Sequence, residues 1–235
     1  MSDVDRMLFN YEKHEWKEDD IKERIKDFHW CQCIELAPGI VTNGWGPPSE
    51  ELQKLFDSIG YSGKDVLDIG TLNGMWSFEA CKRGARFVQA IDLPAERNIP
   101  NLAASFRFCR SVLRANVHYT ERSIYTFKDN GYDVVLCFDL LHHIRHPLLA
   151  LEIIHDSLAP AGNLLLECAT TPGDESTCNF YHSVPYMNDP SNRWVPTALC
   201  LLEWVAHVGL RVVDHWPGPE GSMRHNILAV KRGAQ

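Results

Sequence analysis

The 235-residue sequence has no run of about 18 uncharged apolar residues, so nothing in it is expected to span a bilayer as a helix. The first 20 residues, MSDVDRMLFNYEKHEWKEDD, are charged throughout and hold no apolar signal core. It also lacks a C-x-x-C pair. Cys31 and Cys33 form a lone C-x-C with no second pair to complete a zinc site, and no metal is expected. Cys81, Cys137, Cys168 and Cys200 sit inside apolar runs, the pattern of buried thiols in a reducing cytoplasm rather than of disulfides. Basic residues are in deficit, with 23 Lys and Arg against 31 Asp and Glu and a formal net charge of -8. Broad electrostatic binding of nucleic acid needs Lys and Arg to neutralise phosphates, so this balance weighs against it while leaving a local basic patch open. No repeat, low-complexity tract or linker interrupts the chain. The dinucleotide fingerprint G-x-G-x-x-G is missing too, which disfavours an NAD-dependent dehydrogenase.

What is present is an alternation of strands and helices. KDVLDIG (64–70), ARFVQAID (85–92), NVHYTE (116–121), YDVVLCF (132–138) and NLLLECA (163–169) read as buried strands. Segments 73–83, 100–114, 147–158 and 197–208 read as helices between them, and LRVVDHW (210–216) and HNILAVK (225–231) as two closing strands. Near-continuous apolar strands separated by helices predict an α/β, doubly wound, mostly parallel seven-stranded sheet covered on both faces. Upstream, a helix is expected over 50–58, with Ser49 as its cap. Residues 29–48 should be short extended pieces with turns at Pro38-Gly39 and Asn43-Gly44. Residues 1–48 are expected to form a helical extension that covers the cofactor and substrate, and 49–235 the catalytic domain.

The strongest chemical signal is VLDIGTLNG (66–74), a strand ending in acid, glycine turn and helix. Ligands of such sheets lie beyond the carboxyl ends of the strands. Asp68 can meet a cation there, and Gly70 and Gly74 allow close backbone approach. Asp92 closes the next strand, 24 residues later, where a carboxylate can accept from two ribose hydroxyls. With AIDL and YDVVLCFDLLHHIRHP, these motifs resemble the class I S-adenosylmethionine methyltransferases, with a Rossmann-like fold, over residues 64–170. The wider pattern IELAPGIVTNGW, LLHHIRHPLLALE, LLLECATTPGDE and NDPSNRWVPT is similar to the branch holding the wobble-uridine tRNA carboxymethyltransferases.

The resemblance implies S-adenosyl-L-methionine as cofactor. It implies that Asp68, Gly70, Thr71 and Gly74 hold the methionine part, and Asp92 with Leu93 the ribose. Ser123 and Ile124 would border the adenine, and Phe138 and Asp139 the sulfonium side. The carboxymethyl-transferring relatives carry a Lys in the segment matching WCQC (30–33), which this chain lacks, so plain S-adenosylmethionine is expected; Arg224 matches a basic residue they share.

On the acceptor side, LLHHIRHP (140–147) offers His143, His142 and His146. A neutral imidazole can take a proton from an acceptor, and it can equally cap a strand end. His143 and His142 are the candidate bases, pointing apart if they alternate as on a strand. Glu167 closes the fifth strand and could touch substrate or orient a histidine. The Pro-rich loop 178–196 suits a lid or a packed wall, with Tyr181, Tyr186, Asn188, Asp189 and Trp194 as candidates, and Trp45 as a further cover. The chemistry expected is methyl transfer to an O, N or C atom of a small molecule. A tRNA wobble-uridine modifier is the alternative, favoured by any basic face around 193–224, and a non-enzymatic cofactor-binding module is a third reading.

Overall fold

The computed structural model describes residues 15–93 and 99–233; the helical reading of residues 1–14 lies outside them. Helix α1 (Glu18–Arg24) runs into a short 3₁₀ turn at Ile25–Asp27, and a two-stranded hairpin follows, β1 (Glu35–Ala37) and β2 (Ile40–Val41). Helix α2 (Glu50–Asp57) begins at Ser49, whose hydroxyl accepts from the Leu52 N–H at 3.1 Å. Then come β3 (Asp65–Ile69), α3 (Met75–Lys82), β4 (Phe87–Asp92), α4 (Leu102–Leu113), β5 (Val117–Glu121) and β6 (Tyr132–Phe138). The chain continues through α5 (Pro147–Ser157), β7 (Leu158–Ala169), β8 (Cys178–Phe180), β9 (Trp194–Pro196), α6 (Ala198–His207), β10 (Leu210–Pro217) and β11 (Arg224–Lys231).

Seven strands form one sheet in the order β10-β11-β7-β6-β3-β4-β5. β7, β6, β3, β4 and β5 pair in parallel, while β11 runs antiparallel to both its neighbours. The order reverses between β3 and β6, and that switch point is where an open α/β sheet leaves a crevice. Period-two alternation sorts the core onto two faces. Val66, Val88, Val134, Leu136 and Leu165 pack on one side with Trp76, Phe78, Phe106 and Phe108. Leu67, Ile69, Ile91, Val135 and Leu166 pack on the other, with Leu151 and Ile154 of α5 and Leu201 and Val205 of α6.

The N-terminal segment belongs to the first of these faces. Ile21, Trp30, Ile34, Leu36 and Ile40 are buried in that core, and Trp16 Nε1 donates to Ser111 of α4 at 2.6 Å. Two local readings change. No turn forms at Asn43-Gly44; instead a Cβ on Gly44 would lie 2.4 Å from the Gln32 carbonyl carbon, so the glycine serves a backbone-on-backbone contact. Segment 178–196, read as a Pro-rich loop, contains the β8–β9 hairpin, whose pairing partners are 14 or more residues apart in sequence and leave no local signal. All eight cysteines are thiols. Among the described residues no helix is long and apolar enough to cross a membrane.

Candidate active site

The loop after β3 is held by acids beneath and beside it. Asp68 is buried, and its Oδ2 accepts from the hydroxyls of Thr71 at 2.7 Å and Ser77 at 2.6 Å. Burial outweighs these bonds and pushes its pKa up to about 6. Asp68 and Thr71, expected to meet the cofactor's methionine part, are therefore turned toward each other under the loop. Gly74 also has a different task. Its φ is 100° and an added Cβ would fall 2.5 Å from the Phe106 ring, so a side chain is excluded by the core rather than by a ligand. Gly70, at φ 77°, does face the crevice. Leu72 adopts φ 53°, uncommon for a residue with a side chain, and its N–H donates to Asp92 Oδ2 at 2.9 Å. The second Asp92 oxygen accepts from the Leu93 N–H at 2.7 Å.

Asn73 ties this loop to the N-terminal segment. Fully buried, it accepts from the Cys31 N–H at 2.7 Å and donates to Ser105 Oγ at 2.7 Å and the His29 carbonyl at 3.2 Å. Gln32 Oε1 accepts from the Met75 N–H at the start of α3, 3.1 Å away. The WCQC segment thus lies directly on the glycine loop, with an amide rather than a Lys. Asn73 stood unassigned within the quoted motif, because all its partners are remote in sequence.

The loop after β6 repeats this device. Asp139 has φ 54°, and its N–H donates to Glu167 Oε2 at 3.0 Å, Glu167 closing the neighbouring β7. Glu167 also lies 3.5 Å from Arg224 Nε; it orients Asp139 and Arg224, and none of its described contacts is with a histidine. Burial first, then the Asp139 charge, push the Glu167 carboxyl up against the pull of Arg224. Burial would raise Asp139 too, but the His142 hydrogen bond, the adjoining His143 and the Arg224 guanidinium hold it well below the usual range. Phe138 packs edge-on against Trp76, 5.2 Å between centroids.

The two adjacent histidines do not point apart. Residues 141–143 form a turn, so strand alternation does not apply, and the ring centroids are 4.0 Å apart beside one carboxylate. His142 is fully buried. Its Nδ1 accepts from the Ala169 N–H at 3.1 Å, which requires a bare Nδ1 and places the proton on Nε2, 3.1 Å from Asp139 Oδ1. Burial depresses its pKa to about 4, in keeping with that neutral form. With both nitrogens engaged, His142 is a support for Asp139 and not an accessible base. Asp139, His142 and His143 bring three ligand atoms within 4.8 Å of one another. That set suits a metal poorly, because Arg224 already neutralises Asp139 and His142 Nδ1 is taken by Ala169.

A cavity of about 670 Å³ runs between these loops. Gly70, Asp92, Leu93, Ser123 and Ile124 line one part, and Leu140, His143, Ile144 and His146 the other. Arg122, Arg145 and Arg193 also contribute to its wall. The β8–β9 hairpin closes over the 140–146 segment: the N–H groups of Arg193 and Trp194 converge on the His142 carbonyl at 2.7 and 3.2 Å, and Trp194 Nε1 donates to the Arg145 carbonyl at 3.0 Å. Tyr186 donates to the Thr170 carbonyl at 2.7 Å and packs on Tyr181, 4.9 Å between centroids. These aromatics brace the hairpin. Met187 and Asn188 take φ 54° and 60° in the turn between Tyr186 and Asp189, so Asn188 serves turn geometry and is exposed. Trp45 is 70% exposed, and its ring covers no described cavity. Ser191 went unnoticed in the sequence, yet its hydroxyl lies 3.0 Å from His143 Nδ1.

Sheet order, crevice and the strand-end acids define the fold of a class I S-adenosylmethionine-dependent methyltransferase. The family model described as Methyltransferase domain matches residues 46–215, and the chain belongs to that family. It is similar to the tRNA U34 carboxymethyltransferase of Nautilia profundicola, 25% identical over 149 residues, covering 63% of this chain and 47% of that one. The chain thus spans about half the length of the curated relatives it matches. Among solved structures it resembles the N-terminal domain of EvdMO1, determined in the presence of SAH and D-fucose, with a TM-score of 0.69 at 16% identity over 94% of this chain and 99% of that one. It also resembles 1,6-didemethyltoxoflavin-N1-methyltransferase of Burkholderia thailandensis, with a TM-score of 0.62 at 18% identity over 78% and 79%.

Proposed function

We propose that this protein transfers a methyl group from S-adenosylmethionine to an O, N or C nucleophile of a small-molecule acceptor, in a reducing cytoplasm. The observation that carries this reading is the single cavity joining Asp92, Ser123 and Ile124 to His143. The donor set fits the cofactor. The Asp92 carboxylate can accept from ribose hydroxyls, Leu93 and Ile124 offer apolar faces to an adenine, and Gly70 lets the chain pass close to the methionine part. Asp139, held ionised beside the crevice, suits a neighbouring positive charge. When bound, the cofactor supplies a methyl group already activated on a sulfonium, and the sulfur–carbon electron pair returns to sulfur as the methyl leaves.

The protein's own part is alignment, exclusion of water and removal of one proton. His143, 15% exposed at its side chain and lining the cavity, can take that proton at a ring nitrogen. Gln32 occupies the Lys segment and Arg224 is committed to Asp139 and Glu167, which favours the plain cofactor over a carboxylated one. Methyl transfer from labelled S-adenosylmethionine into fractionated small-molecule extracts, compared with bulk tRNA, tests the proposal. Label entering small molecules and lost in His143→Ala is expected; label entering tRNA alone would overturn it. The tRNA reading draws its support from the named relatives and from Arg122, Arg145 and Arg193 on the cavity wall, a basic patch in an otherwise acidic chain.

A further inference from the structure

We propose that Asp189 and Ser191 are positioning residues that fix the tautomer of His143, so that its Nε2 carries the lone pair that receives the acceptor's proton. The inference rests on His143 being the acceptor-side base and adds how the hairpin prepares it.

The argument is one of counting protons. Ser191 has one hydroxyl hydrogen. Its Oγ lies 2.5 Å from Asp189 Oδ1, and the Ser191 N–H donates to the same oxygen at 2.8 Å. A carboxylate only accepts, so the hydroxyl hydrogen is spent on Asp189. The 3.0 Å contact between Ser191 Oγ and His143 Nδ1 can then be a hydrogen bond only if Nδ1 donates. That puts the neutral ring's single proton on Nδ1 and leaves Nε2 bare. The opposite arrangement would need Nε2–H to bond Asp139 Oδ1, but the separation is 3.9 Å, too long for a hydrogen bond. Burial would raise Asp189, but the hydrogen bonds it accepts from the Ser191 hydroxyl and N–H, with the neighbouring His143, hold it below the ordinary carboxylate range, so it stays a pure acceptor.

The bare Nε2 belongs to a ring that lines the cavity. On methyl transfer the acceptor's X–H proton moves to Nε2 while the electron pair left on X forms the bond to the methyl carbon. The resulting imidazolium is bracketed by Asp189 through Ser191 and by Asp139 across 3.9 Å, two anions set against Arg224 beside His142 and Arg145 and Arg193 on the cavity wall, with His142 neutral. The hairpin is also a tether: the Arg193 N–H, two residues past Ser191, bonds the carbonyl of His142 next to the base. Hairpin and base therefore move together.

Long-range ¹H–¹⁵N correlation spectra of the whole protein read the tautomer without any acceptor, with His143→Gln identifying the signal. In the wild type above its titration, His143 should show a pyrrole-type Nδ1 and a pyridine-type Nε2. Ser191→Ala should shift the ring to the Nε2–H form, and Ser191→Thr should restore the wild-type pattern. Asp189→Asn should weaken the preference. A wild-type ring protonated on Nε2, or a Ser191→Ala spectrum unchanged from wild type, would overturn the proposal. Once an acceptor is in hand, Ser191→Ala should lower kcat about tenfold with the cofactor KM unchanged. Absence of methyl transfer by the wild type would defeat the proposed function and leave the tautomer measurement to stand or fall separately.

Discussion

The loops after β3 and after β6 are built alike and used differently. In each, a residue with a side chain is held in the left-handed region, Leu72 at φ 53° and Asp139 at φ 54°. In each, the acid closing the neighbouring strand accepts that residue's N–H, Asp92 for the first and Glu167 for the second. Such conformations cost about 1–3 kcal/mol and persist only where the surroundings enforce them. The first loop then presents Asp92 to an open cavity, bonded to backbone N–H groups. The second loop's acid, Glu167, is locked into the Asp139 N–H and Arg224, and the Asp139 carboxylate in turn into Arg224 and His142. On the proposed function, one half offers acceptors to a neutral sugar, while the other concentrates charge where a proton and a sulfonium are to be managed.

The largest effect expected is on the second loop. His143→Ala should lower turnover by about 10²–10⁴ with cofactor affinity nearly intact, measured in single-turnover methyl transfer, because only the acceptor side loses a group. A matching loss of cofactor binding in that variant would erase the division between the halves.

The buried titratable groups of the two loops should give opposite pH slopes. His142 has a folded pKa of about 4 against 6.5, so the unfolded chain holds the extra proton between them. Stability from this group is complete above 6.5 and is lost as pH falls through 4, roughly 3 kcal/mol in all. Asp68 is raised to about 6 from 3.8, so its contribution is complete below 3.8 and is lost as pH rises through 6. Urea titrations from pH 4 to 7 should find that His142→Gln removes the rising component and Asp68→Asn the falling one. Parallel slopes in the two variants would show that the loops do not differ electrostatically.

Asp92→Ala should weaken S-adenosylmethionine binding by about 1.5–3 kcal/mol in calorimetry, through lost ribose acceptance and a released Leu72 N–H. Unchanged affinity would end the cofactor assignment of this wall. Glu167→Gln should be the mildest, about 1 kcal/mol of stability, because the amide oxygen still accepts from Asp139 N–H while the Arg224 pairing weakens. A cofactor-affinity loss there as large as in Asp92→Ala would mean that the two acids share one role.

The first wall was readable because its parts are close in sequence. Strand, glycine turn and next-strand acid lie within VLDIGTLNG and AIDL, and Gly70, Asp92, Leu93, Ser123 and Ile124 do line one cavity. The same motif did not show that Asp68, Thr71 and Gly74 face the core, because a spacing rule cannot tell a side chain facing the crevice from one facing the core. On the acceptor side, His142 and His143 differ in burial although they are adjacent, and Ser191 carries no motif at all.

Local pattern was enough to determine the doubly wound sheet, the family and the residues of one crevice wall. Apolar periodicity, strand-end acids and glycine turns act over one element and its neighbour. Only the tertiary structure decided which imidazole is a support and which is open, what Glu167 and Asn73 hold, and why Gly74 is glycine. Those outcomes rest on contacts such as Ala169 to His142, Cys31 to Asn73 and Ser191 to His143, which join residues 27, 42 and 48 positions apart. A hydrogen bond of that reach is set by how the sheet brings remote loops together, and no sequence window contains both partners.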